Sequence, residues 1–313
     1  MLYVSTKNPA DTYTAYRALH ETNTPDGGFY VPFHLPVFSA EELVIIRTQS
    51  CGDTVAKLLN LFFGLHLNSW DVECVIGRTP FKLETMPHKL WIAEGWRNPD
   101  ASFRYLLCSL YNLMTDGNSM GKMPVGWSCV AIEIALLFGL YTSLEDAPEQ
   151  FDVAVNTGDF AEVSALCYAR DMGLPVNLIV CTEKDNSAFW DFIYKGDLST
   201  AGEDPVKSGY FACFLYQSLG SQTAVRYLDA CELKKTFRID EVQMEALSSK
   251  LFPTVVSGNR VESITANLLH ASGYHIDADA ALAYGGLQDY RSSVGVSMDT
   301  LILSKKRPER IKE

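Results

Sequence analysis

The sequence predicts an α/β protein built on a parallel sheet, and three observations carry that prediction. Phe151-Asp152-Val153-Ala154-Val155 has a strand pattern, Phe160 to Met172 a helix pattern and Leu174 to Cys181 a second strand pattern, which together write one βαβ unit. Strand and helix patterns alternate on both sides of that unit. The chain has 313 residues, 47% of them hydrophobic and 20% charged, so it is long enough and apolar enough to bury a large core.

The elements can be read in order. Thr24-Pro25-Asp26-Gly27-Gly28 is a turn rich in residues that tolerate positive φ. Phe29-Tyr30-Val31-Pro32 follows as a short extended segment. Ser39-Ala40-Glu41-Glu42 opens a helix, because Ser39 can cap it and Glu42 stands at the capping-box spacing. Ser50 to Leu65 is a second helix, with Val55, Leu58, Leu59 and Phe62 at helical spacing. Residues 1–78 are thus expected to form a small helical N-terminal unit, and residues 79–313 the larger remainder. In that remainder Leu90-Trp91-Ile92-Ala93-Glu94 reads as a strand, Gly95 to Asp100 as a loop and Ser102 to Leu113 as a helix. Thr115 to Met123 is loop. Val125 to Tyr141 is apolar, but Glu133 and Trp127-Ser128 interrupt it, so a buried helix is expected rather than a membrane span. Asn156-Thr157-Gly158-Asp159 is the turn inside the βαβ unit, and Gly173 stops its helix. Helices near Val261–Ala271 and Asp277–Tyr290 and a strand over Asp299–Ser304 close the chain.

A parallel sheet with right-handed crossovers binds ligands at the carboxyl ends of its strands. The loops after Glu94, Val155 and Leu303 are therefore expected to line any cleft. The formal charge of −12 repels phosphate backbones, so no nucleic-acid partner is expected. The basic tail Lys305-Lys306-Arg307-Pro308-Glu309-Arg310-Ile311-Lys312 reads as a solvated terminus. The N-terminus lacks the apolar core of a signal peptide. None of the eight cysteines stands in a C-x-x-C pair, and Cys108, Cys129, Cys181 and Cys213 sit in apolar runs. They read as core thiols of a reducing cytoplasm, with no zinc site. The six histidines form no i,i+4 pair, so no metal is expected. Asp277 and Asp279 read as helix-start acids. Ser109 and Ser128 lack a G-x-S-x-G context, and Lys89 precedes its strand, at the end away from the cleft.

At these loops and at the N-terminus the chain resembles the threonine synthase family. Tyr3-Val4-Ser5-Thr6 and Thr24-Pro25-Asp26-Gly27-Gly28-Phe29-Tyr30-Val31-Pro32 are similar to the family's Y-x-S-T and A-P-D-G-G-L-Y-V-P signatures. The resemblance implies a tryptophan-synthase-β type of fold, with residues 79–313 a remnant of a pyridoxal-phosphate enzyme core. The implied activity is conversion of O-phosphohomoserine to threonine and phosphate. The family's lysine motif, E-L-F-H-G-P-T-x-A-F-K-D, corresponds to Glu94 through Tyr105, and Glu94, Pro99 and Phe103 set the frame. Arg104 then occupies the cofactor-lysine position, and a guanidinium forms no Schiff base. The phosphate loop V-P-T-G-N-F-G-D corresponds to Val155 through Glu162, so a remnant cofactor loop would comprise Thr157, Gly158, Asp159, Phe160 and Ala161. Asp159 is acidic where the family has asparagine, and reads as a helix cap. Ala161 adds a methyl where backbone must approach a phosphate. Near the C-terminus, Ser304 and Lys305 stand in the family's L-S/A-T-A-H motif, with Lys305 where the threonine facing the pyridine nitrogen belongs. The small substrate subdomain, with its Ser-Gly-Asp-Thr-Gly loop, has no counterpart between Arg104 and Phe151.

The resemblance thus implies a truncated, threonine synthase-like pseudoenzyme in the cytoplasm, without catalytic residues and without a cofactor, acting through ligand or partner binding. Arg104 is expected to turn into the remnant cleft and pair with Asp159 or Glu162. The ligand would be a small amino acid or phosphorylated molecule, and the partner a protein or a second copy; no membrane is implied. Two alternatives stand beside this reading. One is an active pyridoxal-phosphate-dependent lyase using another lysine. The other is a cofactor-independent enzyme on the same scaffold.

Overall fold

The structure is a computed structural model, which describes all residues except 98–101, 145–147, 159, 203–204, 296 and 309–313. The N-terminal part holds strands β1 (Leu2–Ser5), β2 (Thr12–Thr14) and β3 (Tyr30–Pro32) and helices α1 (Ala15–His20), α2 (Ala40–Arg47), α3 (Cys51–Phe63) and α4 (Ser69–Ile76). Next come β4 (Lys82–Met86), β5 (Leu90–Glu94), α5 (Phe103–Met114) and α6 (Trp127–Thr142). The βαβ unit is β6 (Phe151–Asn156), α7 (Phe160–Asp171) and β7 (Val176–Lys184). It is followed by α8 (Ala188–Lys195), β8 (Asp197–Ser199), α9 (Pro205–Leu219), α10 (Ser221–Glu232), β9 (Thr236–Arg238) and α11 (Glu241–Ser248). The chain closes with β10 (Leu251–Val256), α12 (Gly258–Ser272), α13 (Ala278–Val294) and β11 (Thr300–Ser304).

The central sheet has the order β10-β7-β6-β11-β5-β4. All its pairs are parallel except β4–β5. The four strands expected from the sequence lie side by side in it. Two edge strands were not expected: β4, which reaches β5 by a tight turn, and β10. Alternate residues face opposite sides, as pleating requires. Ile92, Ala154, Val180 and Ile302 meet α12 and α13 through Ile264, Ala281 and Leu287. Ala93, Val153, Val155, Ile179 and Leu301 belong to the larger core on the other face, which includes α5, α6, α7 and α9. Between α5 and β6 the described residues hold a single further helix, α6. It is buried from Trp127 to Tyr141 by neighbours in the core, and among the described residues no helix is long and apolar enough to cross a membrane.

The N-terminal part contains the expected helices, including the Ser39–Glu42 capping box. It also contains a three-stranded antiparallel sheet, ordered β2-β1-β3. Its core is continuous with that of the rest of the chain. Trp127 donates to the Tyr3 hydroxyl (3.1 Å), which in turn donates to the Phe62 carbonyl (2.8 Å), so β1, α3 and α6 share one buried relay. The turn before β3 is held by Asp26, whose carboxylate accepts from Ser5, Thr24 and the Gly28 amide. Gly27 takes φ +82°, a left-handed conformation that favours glycine, and a Cβ at Gly28 would meet Ser5 Oγ at 2.2 Å, so the first is required by its backbone and the second by close approach.

All eight cysteines are free thiols. Cys129, Cys181 and Cys213 are buried, and burial pushes the Cys213 thiol up to about 12, which keeps it protonated and inert. Cys108 departs from expectation. It is only partly buried on α5 and rests against Met123, because the core face of that helix is taken by Leu106, Leu107 and Leu110.

Burial raises the Asp26 carboxyl, but hydrogen bonds from Thr24, the Gly28 amide and Ser5 outweigh it and leave it below the usual range. Its contribution is therefore present above the unfolded value of about 3.9 and is lost as pH falls through the lower folded value. Asp26→Ala should destabilise the chain by roughly 1.5–3 kcal/mol near neutral pH. In urea unfolding the gap between wild type and variant should narrow as pH falls below the unfolded carboxylate value of about 3.9.

Candidate functional site

The carboxyl ends of β5, β6 and β11 converge, as the sequence leads one to expect. The insertion of β11 between β6 and β5 brings this about, pairing Leu303 with Ala93 and Ser304 with Glu94. Beyond the strand the chain stays attached to the other loop: Gly95 N donates to Ser304 O, and Phe103 N to Lys305 O. Three consecutive residues then enter the site in different directions.

Ser304 is fully buried. Its hydroxyl donates to Asp277 (2.5 Å) and accepts from the Trp96 indole N–H (3.1 Å). Asp277 is also the N-cap of α13, accepting from the Asp279 and Ala280 amides. Burial raises the Asp277 carboxyl above its ordinary value, with the Ser304 hydrogen bond pulling the other way. Nearby, the buried Glu94 carboxylate accepts from Arg97 (2.6 Å) and from the Tyr274 hydroxyl (3.1 Å). Burial and the Glu94 charge push the Tyr274 hydroxyl far above its usual range. These bonds fasten the ends of β5 and β11 to the α12–α13 connection.

Lys305 turns the other way, into the interior. Its amine lies 3.0 Å from Glu162 on α7 and 3.6 Å from Glu133 on α6, and 5.0 Å from the centre of the Phe103 ring. All three ionic side chains are largely buried, with exposures of 15% for Lys305, 8% for Glu162 and 4% for Glu133. Lys306 points to solvent and pairs with Asp279 (2.6 Å). A cavity of about 270 Å³ opens over this group, lined by Asn156, Gly158, Glu162, Asp279, Lys305 and Lys306 among others.

On the β6 side, Asn156 accepts from the Gly158 amide (2.8 Å) and donates to Asp279 (3.1 Å). Thr157 donates to the Thr182 carbonyl (3.1 Å), which ties the turn to β7. Phe160 is half-buried and Ala161 is buried at the start of α7. Asp159 lies outside the described residues, and so does the question of its capping or pairing.

Arg104 requires a correction. It is exposed and forms no ion pair with a described residue, Glu162 included. The reason is the phase of α5, which buries Phe103, Leu106, Leu107, Leu110, Tyr111 and Met114 and turns positions 104 and 105 outward. The cation that meets Glu162 comes from the strand end instead. Lys305, expected in part as a solvated tail residue, is the charge at the centre of the site. Glu133 was legible only as an interruption of an apolar run. Such a carboxylate signals a buried partner, but the sequence does not say which cation supplies it. Lys89, as expected, lies at the opposite end of the sheet, near Asp299. Among the described residues, no group of three or more His, Cys, Asp or Glu could hold a metal ion.

Removing Lys305 leaves two carboxylates in a poorly hydrated place. Lys305→Met should therefore cost about 3–5 kcal/mol in urea unfolding. Adding Glu133→Gln and Glu162→Gln should recover most of that loss. A triple variant as unstable as the single one would show that the ion cluster is not what the lysine stabilises.

Comparison with known proteins agrees with this architecture. The family model described as Threonine synthase N terminus matches residues 2–79. Two curated relatives are both called Threonine synthase-like 1. The one from Macaca fascicularis is 26% identical over 280 residues, and the one from Homo sapiens 25% over 280. Each alignment takes in 78% of this chain but only 37% of the relative, so the chain spans little more than a third of their length. Among solved structures, pyridoxal-phosphate-bound threonine synthase from Brucella melitensis superposes with a TM-score of 0.80 at 16% identity, over 98% of this chain and 89% of that one. Threonine synthase from yeast gives 0.79 at 13%, over 98% and 87%. At such identities the structural likeness speaks for the fold alone. Residues 2–79 thus match the threonine synthase N-terminal unit in sequence, and nearly the whole chain shares the fold of the solved threonine synthases.

Proposed function

We propose that this chain is a non-catalytic threonine synthase-like protein that acts through ligand or partner binding. The observation that carries the reading is the Lys305 cluster. A cofactor-dependent lyase of this kind needs an amine able to bond pyridoxal phosphate, which serves as its electron sink. The two lysines of the cleft are both engaged with carboxylates, Lys305 with Glu162 and Glu133 and Lys306 with Asp279. Carboxylates hold an amine in its protonated, non-nucleophilic form. Arg104, at the family's lysine position, faces solvent. Glu162 also sets a buried negative charge beside the turn where the family holds a phosphate. The residues present do not fit the cofactor.

The alternative of an active lyase would need Lys305 to exchange its carboxylate partners for a cofactor. A small amino-acid or phosphorylated ligand, a protein partner and a cytoplasmic location belong to the same proposal. The eight free thiols support the last of these.

The test is spectroscopic and chemical. The chain expressed with excess pyridoxal phosphate should show no visible absorbance from a bound imine, and borohydride should trap no lysine adduct. Arg104→Lys should not change either result, because its position faces outward. Phosphate release from O-phosphohomoserine at enzymatic rates, about 1–1000 per second, would overturn the reading.

A further inference from the structure

A second cavity, of about 390 Å³, lies on the far side of the 156–158 turn from the Lys305 cluster, framed by the ends of β6 and β7 and by α7, α8 and α9. Its volume falls within the usual range for small-molecule sites, roughly 300–1,000 Å³. Three rings form one wall: Phe160 lies 5.4 Å from Phe189 and 4.9 Å from Phe211, centre to centre, and Phe189 lies 6.4 Å from Phe211. Leu198 adds to this apolar surface.

The same cavity is lined by Glu183, which is 6% exposed. One oxygen accepts from the Phe189 amide (2.9 Å) and the other from the Trp190 amide (3.0 Å) at the start of α8. A carboxylate has about four acceptor positions, so each oxygen keeps one to spare. Among the described residues no cation pairs with Glu183. The neighbouring Lys184 amine lies against Gly258, at the start of α12. Burial raises the Glu183 carboxyl above its ordinary value, which is the mark of an acid lacking a positive partner.

Lys184 also lines the cavity, but from an exposed position at its edge, and the remaining polar side chains are at least partly engaged. Asn156 and Thr157 bond to the chain itself, and the Asn186 carbonyl oxygen accepts from the Ala188 amide. The cavity thus offers one buried, negative, under-used acceptor beside a cluster of mutually tilted aromatic rings. Ring faces attract cations, and a flat ring packs best against other rings.

We propose that this cavity is a binding site for a small aromatic amine, its ring set against Phe160, Phe189 and Phe211 and its ammonium on Glu183. The site is separate from the Lys305 cluster and stands whether or not the cleft is catalytic. An anionic ligand of the same shape would face Glu183 and be excluded. An aliphatic amine would find the charge but not the ring wall.

The test uses the full chain and three probes in calorimetric titration: tryptamine, indole-3-acetate and hexylamine. Tryptamine should bind saturably, and the other two at least tenfold more weakly. Glu183→Gln should weaken tryptamine at least tenfold. Because Glu183 also caps α8, a second variant, Ala188→Phe, fills the mouth from an exposed position and should weaken it as much with the helix cap intact. Failure of tryptamine to saturate would overturn the proposal. So would equal binding of indole-3-acetate, or a folded Ala188→Phe chain that binds as wild type does.

Discussion

The last strand of the chain, β11, is inserted between β5 and β6, and the rest of the molecule depends on that placement. It joins two halves of the sheet that have no other contact in the hydrogen-bonded ladder. Parallel register then fixes where the strand ends. Thr300 lies beside both Leu90 and Asp152, so the residues after Leu303 emerge at the carboxyl ends of β5 and β6 together. Pleating sends Ser304 to one face and Lys305 to the other. One face carries α13, whose N-cap Asp277 receives the Ser304 hydroxyl. The other carries α6 and α7, whose Glu133 and Glu162 receive the Lys305 amine.

These two contacts differ in kind. The Ser304–Asp277–Trp96 chain is a set of hydrogen bonds that closes the end of the sheet against α13. The Lys305 cluster is ionic and sits in poorly hydrated surroundings. Burying charge is expensive unless the charges are paired, so each member of this cluster constrains the others. Glu133 could not occupy an otherwise apolar helix without a cation, and Lys305 could not enter the core without an acid. Phe103 completes the enclosure, lending its ring face to the amine.

The scaffold and the site follow separate rules. The fold rests on two apolar cores, and those cores close over nearly the same architecture as in the threonine synthases at 13–16% identity. Many sequences satisfy apolar packing of this kind. Chemistry at the strand ends tolerates no such latitude, because it depends on particular side chains at particular atoms. A chain can therefore retain the scaffold while its cleft holds a different arrangement of charge. The two cavities illustrate the point, since one turn, residues 156–158, separates an ion-filled cleft from an aromatic-walled pocket.

The sequence by itself determined the local elements. The βαβ unit was legible because its periodicities are strong and Gly173 ends the helix. The Ser39 cap was legible because a capping box involves only neighbours in sequence. The glycine turn before β3 was legible for the same reason. The edges of the sheet were not, since Lys82–Met86 and Leu251–Val256 become strands only by pairing with β5 and β7. The N-terminal sheet likewise exists through the pairing of β1 with β2 and β3. In the site, the three loops could be named from topology, and Glu162 could be named as an acid awaiting a cation. Which cation reached it was decided by the phase of α5 and the register of β11. The first turned Arg104 to water and the second turned Lys305 inward. Both are properties of packed elements, because a side chain's direction depends on what buries the rest of its helix or strand.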